Sequence, residues 1–372
     1  MNCNYTTLAK DTITKCPHCE SPHITTTEAC TPLGFCTDYD ADIKDFNGRF
    51  DFQPYTTSLT LDAEAKLEYT APCHNLTIKS NILPKNGLVH QINTNDGKLF
   101  KVGRLPDTNR YVAKEAYPPN NQPYTFDEKQ IALIASKTTG VLALSINKQT
   151  PQTDLNPLPS NQNHEEIKAA FISWGYLLQR AICSYLDIET SEIEVGYQIN
   201  KNKQSEIFLV ERLENGAGYC NYLSGRIFED VPYNAFIKPF QENQPIYESL
   251  MQQEHQTQCS SSCYDCTRDF YNQQHHSTMH WRLGLDLAKI AHDPNQPIDF
   301  TAPYWHSHIQ TITNRLKNPT KTNNTYIITH NNQKILITHP FWSTEYIQTL
   351  QTTHHFDKTL NIIKAEKLTK EI

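Results

Sequence analysis

Cysteine placement constrains this chain more than any other feature. Eleven cysteines occur, and nine fall in two groups: Cys3, Cys16, Cys19, Cys30 and Cys36, then Cys220, Cys259, Cys263 and Cys266. Cys73 and Cys183 stand apart, and each group holds a Cys-x-x-Cys pair, Cys16/Cys19 and Cys263/Cys266. Residues 1–11 carry no apolar run of the kind a secretory signal needs, so the chain reads as cytoplasmic. Thiols stay reduced there, which makes metal ligation a better account than a disulfide framework. Two thiolates three residues apart on a tight turn supply one edge of a tetrahedron, and a structural Zn²⁺ takes four soft ligands. Cys259-x3-Cys263-x2-Cys266 offers three of them, and Cys220 can return across a helix pair as the fourth. Arg268 is placed to offset the charge of such a site, and His276 reads as a helix cap instead of a ligand. Cys16-Pro-His-Cys19 predicts a second zinc knuckle, its remaining ligands open among Cys3, Cys30 and Cys36, with His18 and His23 as further options. Buried free cysteines and a redox pair are the competing readings.

The charge balance excludes a globally basic nucleic-acid binder, with 33 Lys+Arg against 40 Asp+Glu. A local basic surface survives that sum, because phosphate binding depends on clustering. Residues 310–372 hold eight Lys+Arg and four Asp+Glu, and Trp342 and Tyr346 in that tail suit stacking on a single strand. No apolar run approaches the roughly 20 residues of a membrane-spanning helix. The phosphate-cradling G-x-x-x-x-G-K-[ST], H-E-x-x-H and G-x-S-x-G are all absent, so no nucleotide-binding, protease or hydrolase motif speaks for an enzyme. Asp62-x-Glu64-x-Lys66 loosely resembles the carboxylates of metal-dependent nucleases, but in a polar-alternating strand it reads as a solvated strand face.

Periodicity divides the chain into five parts. Residues 1–55 form a cysteine-rich knuckle. Residues 56–150 alternate apolar and polar positions between turn signals such as Pro84-Lys-Asn-Gly87 and Asn95-Asp-Gly97, the pattern of antiparallel strands. Ile131–Ile134 and Val141–Leu144 are expected to pair as one hairpin across Thr138-Thr-Gly140. Residues 151–163, rich in Pro and amides, read as a linker. Residues 164–295 follow as a helical domain. Within it, Ile167, Phe171, Trp174, Leu178 and Ile182 make one helical stripe, and Met279, Leu283, Leu287 and Ile290 make another. Strands are predicted at 193–199 and 207–213, and Gly216-Ala-Gly218 leads into a short helix carrying Cys220. Residues 296–372 close the chain as a small α/β extension. The fold class expected is α+β.

Three segments then carry a family resemblance. Gly216-Ala-Gly-Tyr-Cys220, Cys259-Ser-Ser-Ser-Cys-Tyr-Asp-Cys-Thr-Arg-Asp-Phe-Tyr-Asn272 and Trp281-Arg-Leu-Gly-Leu-Asp286, with His276 between the last two, resemble the mitomycin-repair-helicase-like zinc-binding (MZB) domain family. The likeness runs towards the B component of the DISARM anti-phage system, and Thr31-Pro-Leu-Gly-Phe35, Ile92–Gly97 and Thr338-His-Pro-Phe-Trp342 look like looser matches. The resemblance implies a four-cysteine zinc site at Cys220, Cys259, Cys263 and Cys266. It further implies a non-catalytic accessory subunit that partners a superfamily 2 helicase and helps engage DNA. The alternatives are a thiol-based oxidoreductase using a labile cysteine pair, and a protein scaffold without nucleic-acid contact. The motor domains of the helicase members have no counterpart in this sequence.

Overall fold

The computed structural model describes residues 7–9, 13–16, 20–33, 57–95, 97–104, 111–113, 128–315, 320–321, 325–330 and 333–365. Cys3, His18, Cys19 and Cys36 therefore lie outside the described residues. The chain divides into two compact units, Met1–Ala65 with Leu88–Thr138, and Lys66–Gly87 with Thr139–Ile372.

In chain order the strands begin with β1 (Glu28–Cys30), β2 (Thr57–Leu61), β3 (Tyr69–Cys73) and β4 (Leu76–Ser80), followed by β5 (Leu88–Asn93), β6 (Phe100–Arg104), β7 (Tyr111–Ala113) and β8 (Glu128–Thr138). The first unit is one sheet, ordered β2-β5-β8-β6-β7, with β1 running parallel to β8 and the other pairs antiparallel. Ile92, Ala132 and Ile134 form its buried cluster, covered by Leu8 and Leu99. Asp62 closes β2: one carboxylate oxygen accepts from the Glu64 amide, and the other meets His90 Nε2 at 2.8 Å.

The second unit begins with β3 and β4 and resumes at β9 (Val141–Ile146), α1 (His164–Leu186), β10 (Ile193–Ile199) and β11 (Ser205–Glu211). Then come α2 (Tyr219–Leu223), α3 (Pro245–Met251), α4 (Gln253–Gln258), α5 (Trp281–His292), α6 (Pro303–Arg315), β12 (Thr320–Lys321), β13 (Tyr326–His330), β14 (Gln333–Thr338), α7 (Thr344–His354) and β15 (Lys358–Asn361). Its central sheet, β10-β11-β9-β4-β3, is antiparallel throughout. The stripe Ile167, Phe171, Trp174, Leu178 and Ile182 buries α1 in the same core as Ile207 and Leu209 of β11. Gly284 lets α5 approach α1 closely, since a Cβ there would sit 2.9 Å from the Trp174 amide nitrogen. Ser173 Oγ, accepting from the His280 amide at 2.7 Å, fixes the same crossing. A four-stranded sheet, β12-β13-β14-β15, completes the unit.

Helices and antiparallel sheets together make the fold α+β, as the periodicity predicts. The element borders differ in three places. Ile131–Ile134 and Val141–Leu144 are not one hairpin, because β8 and β9 belong to different sheets. The residue between them, Thr139, is fully buried and donates its hydroxyl to the Glu211 and Leu213 carbonyls. The expected strand region 56–150 is thus shared between the two units. Residues 151–163 are not a solvated linker. Leu155 and Asn163 are buried, Asp154 N–H donates to the Phe341 carbonyl, and Ser343 N–H donates to that of Gln152. Trp342 of the basic tail is also buried, donating its indole N–H to Ile298, so it presents no ring for a nucleic acid.

Candidate metal centre

Three sulfurs and one imidazole converge at the C-terminal end of α4. His255, Cys259, Cys263 and Cys266 each offer one ligand atom, and those atoms lie within 4.8 Å of one another. The local sequence explains the convergence. His255 and Cys259 are one helical turn apart, and the Cys259 amide closes α4 on the His255 carbonyl at 2.8 Å. The chain then turns tightly, with the amides of Cys266, Thr267 and Arg268 all donating to the Cys263 carbonyl. That turn swings Cys266 Sγ back to accept from the Cys263 amide at 3.2 Å.

The spacing fits a zinc ion. Zn–S bonds of about 2.3 Å at tetrahedral angles require sulfurs about 3.8 Å apart. Cys259 Sγ stands 3.8 Å from Cys266 Sγ, and Cys263 Sγ stands 3.6 Å from it. The imidazole supplies a second test. His255 Nδ1 faces the Leu250 carbonyl at 3.1 Å, which directs the proton to Nδ1, while Nε2 is buried without a hydrogen-bond partner among the described residues. A neutral imidazole held this way through its far nitrogen is the usual form of a metal-binding histidine. Cys263 is pushed upward, first by its hydrogen bond with Cys266 and then by burial.

Cys220 is not part of this cluster, which corrects the expected fourth ligand. Its thiol reaches the Leu209 carbonyl at 3.6 Å, and its amide donates to Glu211 Oε1 at 2.8 Å. Buried Glu211 organises the whole segment, accepting also from the amides of Ala217 and Gly218. Gly216 and Gly218 adopt φ of +70° and +93°, the left-handed turn that points these amides at the carboxylate. Burial and the neighbouring Glu211 both push the Cys220 thiol well above its ordinary value, so it stays protonated where it sits. The fourth atom that converges with the three sulfurs belongs to His255, which stands four residues before Cys259 in the sequence.

Arg282 is the second residue that spacing alone does not reveal. It is buried on α5 and donates to the carbonyls of Cys259 at 3.3 Å, Ser260 at 2.7 Å, Gln256 at 3.3 Å and Tyr304 at 2.6 Å. Its guanidinium also covers the Trp281 ring at 4.4 Å. Three thiolates, a neutral imidazole and Zn²⁺ sum to −1, and Arg282 sets a buried positive charge beside them. Arg268, expected in that role, instead holds the turn through Ser262 Oγ at 2.9 Å. Arg180 of α1 caps the Tyr264 and Asp265 carbonyls. His276 meets Asn272 Oδ1 at 2.8 Å and the Asp269 carbonyl at 3.1 Å, a holding role and not ligation.

In the first cysteine group, Cys16 starts a tight turn, its amide donating to Ser21 and its carbonyl accepting from Glu20. Its partner Cys19 lies outside the described residues.

His275, packed at 5.9 Å from Tyr176, responds to acid. Burial, then Lys168 and His276, lowers its pKa from 6.5 to about 4. The unfolded chain therefore binds a proton between those values that the folded chain does not, and stability falls as pH drops from 6.5 to 4. A His275→Gln variant, compared with the parent in urea melts at fixed zinc across this window, is expected to lose less stability. Parallel losses would remove His275 as a cause.

Among the described residues no helix is long and apolar enough to cross a membrane. The family model for the MrfA Zn-binding domain matches residues 174–267. No curated protein matches the chain in sequence. A crystal structure of the DUF1998 helicase MrfA bound to DNA resembles 63% of this chain at 13% identity, with a TM-score of 0.33, over 25% of its own length. A second, bound to DNA and AMPPNP, resembles 63% at 12% identity and a TM-score of 0.25, over 22% of its length. The chain spans about a quarter of the length of these solved chains, and a likeness so slight carries no functional weight. The sequence match weighs more, because all four converging residues, from His255 to Cys266, fall inside it. Residues 174–267 are similar to the MrfA Zn-binding domain, and they gather three sulfurs and an imidazole at one point.

Proposed function

We propose that this chain is a non-catalytic zinc-binding subunit of a cytoplasmic anti-phage defence complex, in which it docks on a superfamily 2 helicase and helps that partner hold DNA. The observation that supports it most is a metal-fitting His–Cys3 cluster inside a stretch matching the MrfA Zn-binding domain. His255, Cys259, Cys263 and Cys266 would hold the ion, and zinc would lock α4, the 259–266 turn and the start of α5 into one rigid module. The defence assignment adds the resemblance of residues 216–286 to the DISARM B component. A second zinc at Cys16 and Cys19 belongs to the same reading.

The oxidoreductase alternative is disfavoured by the gathering of three sulfurs and an imidazole at one point, the arrangement of a metal-held set and not of a free thiol pair. Co-expression with a helicase encoded beside the gene, followed by size-exclusion chromatography at moderate salt, tests the proposal. Co-elution with one zinc or more per chain is expected. A chain that elutes alone beside every neighbouring helicase would overturn it.

A further inference from the structure

Three aromatic side chains left in solvent, Tyr264, Phe270 and Tyr271, lie within five residues of the candidate ligands in sequence. Among the described residues, ten large apolar side chains are exposed, and seven of them lie between Tyr185 and Tyr271. Tyr264, Phe270 and Tyr271 are 61%, 61% and 59% exposed. Tyr264 sits on the turn between Cys263 and Cys266, while Phe270 and Tyr271 open the 3-10 helix that follows, Phe270–His275. His276 links the Tyr264 turn to the start of the 3-10 helix that carries the other two. Tyr264 meets His276 edge-on at 5.7 Å, His276 holds the Asp269 carbonyl, and Phe270 meets Tyr271 edge-on at 5.4 Å. Arg212 then lies over the Tyr271 ring at 4.4 Å, with exposed Leu213 beside it in sequence.

This surface is rigid as well as apolar. Asp269 caps the 3-10 helix through the Tyr271 amide and is reached by Thr190 Oγ1 at 3.2 Å, and Arg180 pins the Tyr264 turn to α1. Aromatic rings on a fixed frame lose little conformational freedom when covered, which is why Tyr, Trp and Arg dominate binding hot spots. The charges near the rings decide between a strand and a protein. Thr190 reaches Asp269 and the Arg212 amide donates to the Glu192 carbonyl, so the 189–194 segment lies beside the 3-10 helix. Asp265, Asp269, Glu189, Glu192, Glu194 and Glu214, none of them buried, outnumber Arg180, Arg212, Arg268 and Lys168, the last of which acts on His275. A phosphate backbone requires a positive surface, whereas a protein with an apolar pocket and a Lys/Arg rim complements this one.

We infer that the Tyr264–Phe270–Tyr271 surface, with Arg212, is where the chain docks its protein partner, and that the partner presents an apolar pocket rimmed by basic side chains. The inference rests on the helicase-docking reading above and names the surface and the chemistry it recognises.

The test uses the full-length zinc-loaded chain and the co-eluting helicase in calorimetric titrations. The triple variant Tyr264→Ser, Phe270→Ser, Tyr271→Ser is expected to bind at least ~100-fold more weakly, as removing several hot-spot rings does. Its zinc content and melting temperature should match the parent, because these side chains are mostly in solvent. Asp265→Lys with Glu214→Lys should slow association and reverse its salt dependence. Parent-like affinity in the triple variant overturns the surface assignment while leaving helicase docking intact. Failure of the parent itself to bind overturns both. A triple variant that keeps the helicase but loses affinity for a fluorescent oligo-dT overturns the inference in favour of a strand-stacking role.

Discussion

Cys266→Ser is expected to release the zinc and to loosen the chain from α4 to the start of α5. The sulfur of Cys266 is the shared neighbour of the other two, at 3.8 Å from Cys259 and 3.6 Å from Cys263. Its loss removes a ligand and the acceptor for the Cys263 amide together. Metal binding supplies folding free energy directly at structural zinc sites, on the order of 10 kcal/mol in small domains. His255→Ala should also release the ion, with affinity falling by more than about 100-fold, beyond the effect of changing a supporting residue. Cys220→Ala, by contrast, should keep full zinc content, because that thiol packs against β11 and Glu211. Metal analysis after gel filtration, with competition by a chromophoric chelator, reads all three. Zinc lost from Cys220→Ala and kept by His255→Ala would restore the four-cysteine set.

Asp286→Ala should cost about 3–5 kcal/mol of stability in the second unit, because it leaves three buried donors without their acceptor. The carboxylate is buried on α5 and accepts from the Tyr304 hydroxyl, from Trp305 Nε1 at 3.0 Å and from His339 Nε2 at 2.9 Å. His339 Nδ1 in turn accepts from the Phe341 amide, which fixes the tautomer that donates to Asp286. One side chain thus ties α5 to α6 and to the end of β14. Truncating it leaves three buried donors unpaired, each worth about 1–3 kcal/mol. Chemical denaturation followed by Trp fluorescence, with Asp286→Asn as the milder comparison, measures the loss. A change under about 1 kcal/mol would show that water or a rearranged neighbour replaces the carboxylate.

Much of the second unit was legible because its signals are local. The stripe from Ile167 to Ile182 and that from Met279 to Ile290 predict α1 and α5, and the strands expected at 193–199 and 207–213 are found at Ile193–Ile199 and Ser205–Glu211. The zinc chemistry was legible from Cys259-x3-Cys263-x2-Cys266. What escaped depends on long-range partners. Cys220 looks like a ligand by residue type, yet buried Glu211 draws its segment elsewhere through three backbone amides. His255 is inconspicuous because one histidine on a short polar helix carries no periodic signal. The 151–163 stretch has linker composition, but its backbone is held by residues 341–343, nearly two hundred positions away. Trp342 likewise looked free in a basic tail, and the Ile298 carbonyl buries it.

The ligand set is tested most directly by zinc K-edge X-ray absorption on the purified full-length chain. Three sulfur scatterers at about 2.3 Å and one imidazole nitrogen at about 2.0 Å are expected at the main site. The outer-sphere imidazole signal should vanish in His255→Ala. Four sulfurs around the ion, with no imidazole signal in the parent chain, would contradict the account.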